Sequence, residues 1–79
     1  MQEKQSQGDP MVEIKLREEY IKLGQALKAA GLVASGADAK SEILEGRVKV
    51  NGQVEIERGK KLHQGDIVEY DGDKIKITK

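Results

Sequence analysis

The chain has 79 residues, with 14 basic and 14 acidic side chains, 37% hydrophobic residues, two tyrosines as its only large aromatic rings, and no cysteine. That apolar content supplies one small core and one domain, and it leaves no room for a deep catalytic cleft beside a separate substrate domain. The missing cysteines exclude a disulfide framework and a thiolate metal site. The balanced charge excludes a bulk polycation, and no apolar run approaches the ~20 residues that a membrane helix requires.

The opening MQEKQSQGDP is polar and mixed in charge, unlike a secretory signal or a basic transit peptide. Residues 1–10 are therefore expected to form a flexible tail and residues 11–79 a single domain. Val12, Ile14 and Leu16 alternate with Glu13, Lys15 and Arg17, the pattern of a strand with one buried face. Leu23, Ala26, Leu27 and Ala30 make one stripe of a helix that stops at Gly31, with Leu32 and Val33 packing the crossover.

A second helix begins at Ser35, a good N-cap, with Asp38 three residues on completing an imperfect capping box. At 100° per residue, Ala37, Ala39, Ile43 and Leu44 fall on one arc of roughly 160°. Lys40 lies within that arc, where an ammonium must snorkel to an edge or meet an anion. Gly46 ends the helix. Val48 and Val50 then face Val54 and Ile56 across Asn51-Gly52. Keeping all four on one face requires Val50 to pair with Val54, hence a three-residue loop or a bulge.

Residues 57–63, ERGKKLH, read as a basic connector. Ile67 to Tyr70 and Ile75 to Ile77 read as a hairpin about Asp71-Gly72, with Tyr70 opposite Asp73, Glu69 opposite Lys74 and Val68 opposite Ile75. The fold class is α+β: two short adjacent helices packed on a small antiparallel sheet, which the N-terminal strand is placed to join. Charge is unevenly spread. Residues 1–21 carry three basic and five acidic groups, residues 22–63 eight and five (8 − 5 = +3), and residues 64–79 three and four. The mildly basic middle suits a local anion-binding face.

Leu23 and Leu27, Gly31-Leu32, Ser35, Ala39, Ile43, Gly46, Val48, Val50-Asn51-Gly52 and Gly65-Asp66 stand in an order and spacing that resembles a known family. It is the S-four-like RNA-binding domain, first described in ribosomal small-subunit protein four, whose helical core is the alpha-L motif. The likeness covers about residues 22–70. It implies a non-enzymatic protein that binds structured RNA, ribosomal or transfer, in ribosome assembly or translation, in the bacterial cytoplasm. It also implies the standalone form of the domain. Two departures stand out. Lys22-Leu23-Gly24 replaces the family's frequent Arg-Leu-Asp, and Ser35-Gly36 replaces its frequent Ser-Arg. Lys40, one turn beyond Gly36, is the candidate substitute for that arginine.

Phosphate recognition needs cations and N–H donors on a rigid frame. The candidates are Lys22, Gln25 and Lys28 on the first helix, and Ser35, Gly36 and Lys40 on the second. Arg47, Lys49 and Asn51 lie about the following strand, and Arg58, Lys60 and Lys61 in the connector. The ordinary role of each cation is a solvated charge; that of Ser35 is a cap, and that of Asn51 and Gly52 is to form a turn. Two tyrosines are few for a single-strand binder, which favours recognition of RNA shape and phosphates. His63 has no cysteine or carboxylate pair spaced to serve it, so no catalytic group, metal, cofactor or small-molecule substrate is expected. The competing reading is a protein-interaction adaptor whose basic residues only solubilise it.

Overall fold

A computed structural model describes residues 11–79; the tail expected at residues 1–10 lies outside them. The elements are β1 (Met11–Lys15), β2 (Ile21–Lys22), α1 (Leu23–Ala29), α2 (Gly36–Leu44), β3 (Val48–Val50), β4 (Gln53–Val54), β5 (Lys61–Leu62), β6 (Ile67–Tyr70) and β7 (Asp73–Thr78). Five strands form one sheet in the order β1-β7-β6-β3-β4, and β2 and β5 form a separate two-stranded ribbon. The expected N-terminal strand is present and joins the sheet edge. It runs parallel to β7, with Val12 beside Ile75 and Ile14 beside Ile77, so the sheet is mixed rather than antiparallel throughout.

The inner face of the sheet presents Val48, Val50, Val68, Ile75 and Ile77 to Leu23, Leu27, Ala39, Ile43 and Leu62, and together they make the core. Leu32 and Val33 pack partly against it at the crossover. Both helices end alike. In α1, Gly31 takes φ +75°, while the Gly31 and Leu32 amides donate to the carbonyls of Lys28 and Leu27. In α2, Gly46 takes φ +77°, while the Gly46 and Arg47 amides donate to those of Ile43 and Glu42. This 6→1 and 5→2 pattern satisfies the last carbonyls, and glycine reaches the left-handed conformation without steric cost.

The register of the first hairpin differs from expectation. Val50 pairs with Gln53 and Lys49 with Val54, and Asn51 and Gly52 take φ +52° and +85°. That is a two-residue turn of type I′. Val54 and Ile56 remain 54% and 56% exposed. Burial fixes register only where a core waits for the side chains; β4 is a short edge, so the turn geometry prevails. The second hairpin has the expected pairs throughout.

Asn51 also ties the two halves of its motif together. Its Nδ2 donates to Asp66 Oδ1 at 3.0 Å and its Oδ1 accepts from the Ile67 amide at 3.0 Å. The other Asp66 oxygen accepts from the His63 amide at 2.8 Å. The Asn-Gly and Gly-Asp pairs of the sequence are thus one hydrogen-bonded clamp. Between α2 and the sheet, the half-buried Tyr70 hydroxyl donates to Glu42 Oε1 at 2.7 Å. This bond, followed by burial, raises the Tyr70 hydroxyl above its ordinary pKa of 10.0.

Replacing Asp66 by alanine leaves two donors without their charged acceptor. We expect a loss of about 1–2 kcal/mol, read in a calorimeter as a fall on the order of 5–10 °C in Tm. The Tyr70 bond sets a pH dependence. Because the folded state holds that proton more tightly, its stabilisation is complete below pH ~10 and is lost as pH rises through the folded pKa. Tyr70→Phe is expected to be less stable at neutral pH and to show a shallower alkaline decline in denaturant titrations.

Candidate nucleic-acid interface

The segment after β4 is more than a connector. Its backbone docks on the start of α1: the Leu23 amide donates to the Lys60 carbonyl at 2.8 Å and the Gly24 amide to the Arg58 carbonyl at 3.0 Å. The β2–β5 ribbon extends this docking, pairing Ile21 with Leu62 and Lys22 with Lys61. Leu62 is fully buried and anchors the segment. Two of the first amides of α1, which any helix leaves without intrahelical partners, are satisfied here by main chain. They are therefore closed to a ligand. Gln25 Oε1 accepts from the Lys22 amide at 3.4 Å, a further weak cap.

Docking opens a groove lined by Lys22, Gly24, Gln25, Lys28, Gly36, Arg58 and Gly59. Three of these are cations and none is a carboxylate. Beside it, Lys22 and Lys61 stand directly opposite across the ribbon, an arrangement that is unfavourable without a counter-charge. Gly24 has a steric reason. A Cβ there would lie 2.6 Å from Arg58 Cγ, so the departure from Arg-Leu-Asp is the space through which the arginine stem passes. Gly36 has no such reason, since nothing stands within 4 Å of where its side chain would begin. Ser35 is the N-cap of α2, its Oγ accepting from the Asp38 amide at 3.1 Å.

The structure corrects the expected arc of α2. Only Ala39 and Ile43 are buried; Ala37 is exposed and Leu44 is 58% exposed. Ala39 and Ile43 join the core shared with α1 and the sheet, and Ala37 and Leu44 lie outside it. Lys40 therefore interrupts no buried face. It is exposed one turn beyond Gly36, outside the groove lining, and has no ion pair among the described residues.

The remaining candidates separate. Lys60 and Lys61 are exposed on the docked segment, and Lys61 Nζ lies 4.9 Å from the centroid of the Tyr20 ring. Arg47 is held by Glu45 at 3.0 Å and Glu42 at 3.9 Å. Lys49 lies between the buried Val48 and Val50 and so points from the opposite face of the sheet. Asn51 is consumed by its clamp. A second cleft at the sheet end is lined by Arg47, Lys49 and Lys74 but also by Glu69, Asp71 and Asp73, so its charges cancel. Sequence reasoning overlooked Gly24 and Gly59 as groove residues; the departure at position 24 was the available signal for the first.

The S4 domain family model matches residues 14–78. RlbA of Bacillus subtilis (strain 168), named a probable ribosome maturation protein, is 44% identical over 59 residues, covering 75% of this chain and 83% of that one. YbcJ of Escherichia coli (strain K12) is 37% identical over 59 residues, covering 75% and 84%. The solution structure of YbcJ from E. coli, described as revealing an alpha-L motif involved in RNA binding, superposes with a TM-score of 0.68. It is 28% identical and covers 100% of this chain and 99% of that one. An uncharacterised RNA pseudouridine synthase of Aquifex aeolicus (strain VF5) is 47% identical over 57 residues, but the match spans only 22% of its length.

Gly24→Ala tests the steric account of the groove. Helix propensity favours alanine by ~1 kcal/mol, against the displacement of the Arg58 stem. We expect little change in Tm together with altered guanidinium NMR resonances of Arg58.

Proposed function

The chain belongs to the S4 domain family, and on that premise we propose that it is a non-enzymatic RNA-binding protein of the bacterial cytoplasm. Its ligand is structured ribosomal or transfer RNA, and its role lies in ribosome maturation or translation. One observation carries the reading. In a chain whose charges balance at 14 against 14, the groove between α1, α2 and the docked segment collects Lys22, Lys28 and Arg58, with no carboxylate in its lining among the described residues. Such a concentration creates a local positive potential despite zero net charge, and a phosphate backbone is its natural complement. The names of RlbA and the described YbcJ motif support the same reading.

Lys22, Gln25, Lys28 and Arg58 are the proposed primary contacts, with Gly36 at the groove wall and Lys40, Lys60 and Lys61 around it. Ser35 serves through the α2 cap. Arg47, Lys49 and Asn51, offered as contacts by the sequence, now have carboxylate partners, the wrong face and a structural clamp against them.

The adaptor alternative has its own observation: Leu44, Val54 and Ile56 are all more than half exposed, and scattered apolar surface of this kind is compatible with a protein partner. Salt separates the two. RNA affinity should fall steeply with added salt as counterions are released. Lys22→Ala, Arg58→Ala and Lys40→Ala should each lower the log–log salt slope by ~1, while Arg47→Ala leaves it unchanged. Gly36→Arg, placed in open space, should tighten binding. Absence of RNA binding, or a slope near zero, overturns the proposal.

A further inference from the structure

A second groove adjoins the cationic one and differs from it in chemistry. It lies where the end of β1 meets α1, with Leu16, Ile21 and Ala29 in its apolar lining, Tyr20 as its aromatic member and Gln25 at its border. Gln25 lines the cationic groove as well, so the two share that residue. Lys15 and Arg17 outnumber Glu18 among its charged residues. Tyr20 is 38% exposed, and its ring has cationic and aromatic neighbours. Lys61 Nζ is 4.9 Å from its centroid, and the His63 ring lies 6.2 Å away, tilted by 51°.

We propose that this groove receives one unpaired nucleobase of the RNA whose phosphates occupy the Lys22–Lys28–Arg58 groove. The inference rests on the RNA-binding reading and adds a requirement to it. A base needs an apolar surface with a π-face to stack on and an amide that can meet its polar edge. Tyr20 and Gln25 supply these side by side. Phosphates on either side of an extruded nucleotide need cations at both ends of the path; Lys22 stands at one and Arg17 at the other. Base–aromatic stacking tolerates any of the four bases. The recognised feature is therefore a bulge or a flipped nucleotide in an otherwise paired stem, rather than a sequence. A protein with two tyrosines can in this way discriminate an RNA structure with a single exposed ring.

The test uses two hairpins of the same stem sequence, one fully paired and one carrying a single 2-aminopurine bulge. The full chain is expected to bind the bulged hairpin about 5- to 160-fold more tightly, the range that one stacking contact supplies, with a change in 2-aminopurine fluorescence. Tyr20→Ala should abolish that preference and the fluorescence change while leaving affinity for the paired hairpin as it was. Tyr20→Phe should retain both, which also guards against a misfolded alanine variant. Salt-sensitive but equal binding of the two hairpins, unaffected by Tyr20→Ala, overturns the base groove and leaves the RNA-binding reading standing. Failure to bind either hairpin overturns both.

Discussion

The arrangement of this molecule depends on the docking of residues 58–62 against the start of α1. Two main-chain hydrogen bonds and the burial of Leu62 hold it. The bonds are directional and fix the path of the segment; the leucine supplies the apolar driving force that an isolated two-residue ribbon lacks. Without this docking, Arg58 would be one more charge on a loop. With it, the arginine stem lies across Gly24 and its cation joins Lys22 and Lys28.

Charge is consequently sorted by face. On the outer side of the sheet, Lys49, Glu69 and Lys74 stand in one cross-strand row, and Glu13 lies beside Lys76 in the next. Such alternation stabilises a solvated sheet modestly and offsets most of its charge. The acidic side of α2 is likewise employed internally: Glu42 accepts from Tyr70 and, with Glu45, holds Arg47. Glu42 and Glu45 are thus engaged within the fold, while Lys22, Lys28 and Arg58 in the groove over α1 have no ion pair among the described residues. Zero net charge and a strongly cationic groove coexist because electrostatic recognition depends on local placement rather than on the sum.

The motif that carries the family likeness has a mainly structural explanation. Val48 and Val50 fill the core, Asn51 and Gly52 make a turn that requires two positive φ angles, and Asp66 receives Asn51 and the His63 amide. The clamp holds β3 to β6 and sets where the intervening basic segment begins and ends. The proposed phosphate contacts, Lys22, Lys28 and Arg58, lie at positions where a single sequence gives only a charge on a surface.

The local elements were determined by the sequence alone. The helix stops at Gly31 and Gly46, the Ser35 cap and the Tyr70–Asp73 hairpin follow from short-range sterics and hydrogen bonding, which neighbouring residues decide among themselves. Lys22, Gln25, Lys28 and Arg58 could be named as candidates from their side-chain types, but that they line one groove could not be read from the sequence. Tertiary structure decided the rest. Which part of the α2 arc is buried depends on how the helix packs with α1 and the rest of the core, so Lys40 could not be judged from periodicity. The β3–β4 register depends on whether a core waits for Val54 and Ile56, and none does. That β1 runs parallel to β7, and that residues 61–62 pair with residues 21–22, are contacts between segments about 40 to 60 residues apart. Alternation within a segment marks a strand but names neither its partner nor its direction, so the groove that these pairings create becomes visible only once the chain has closed on itself.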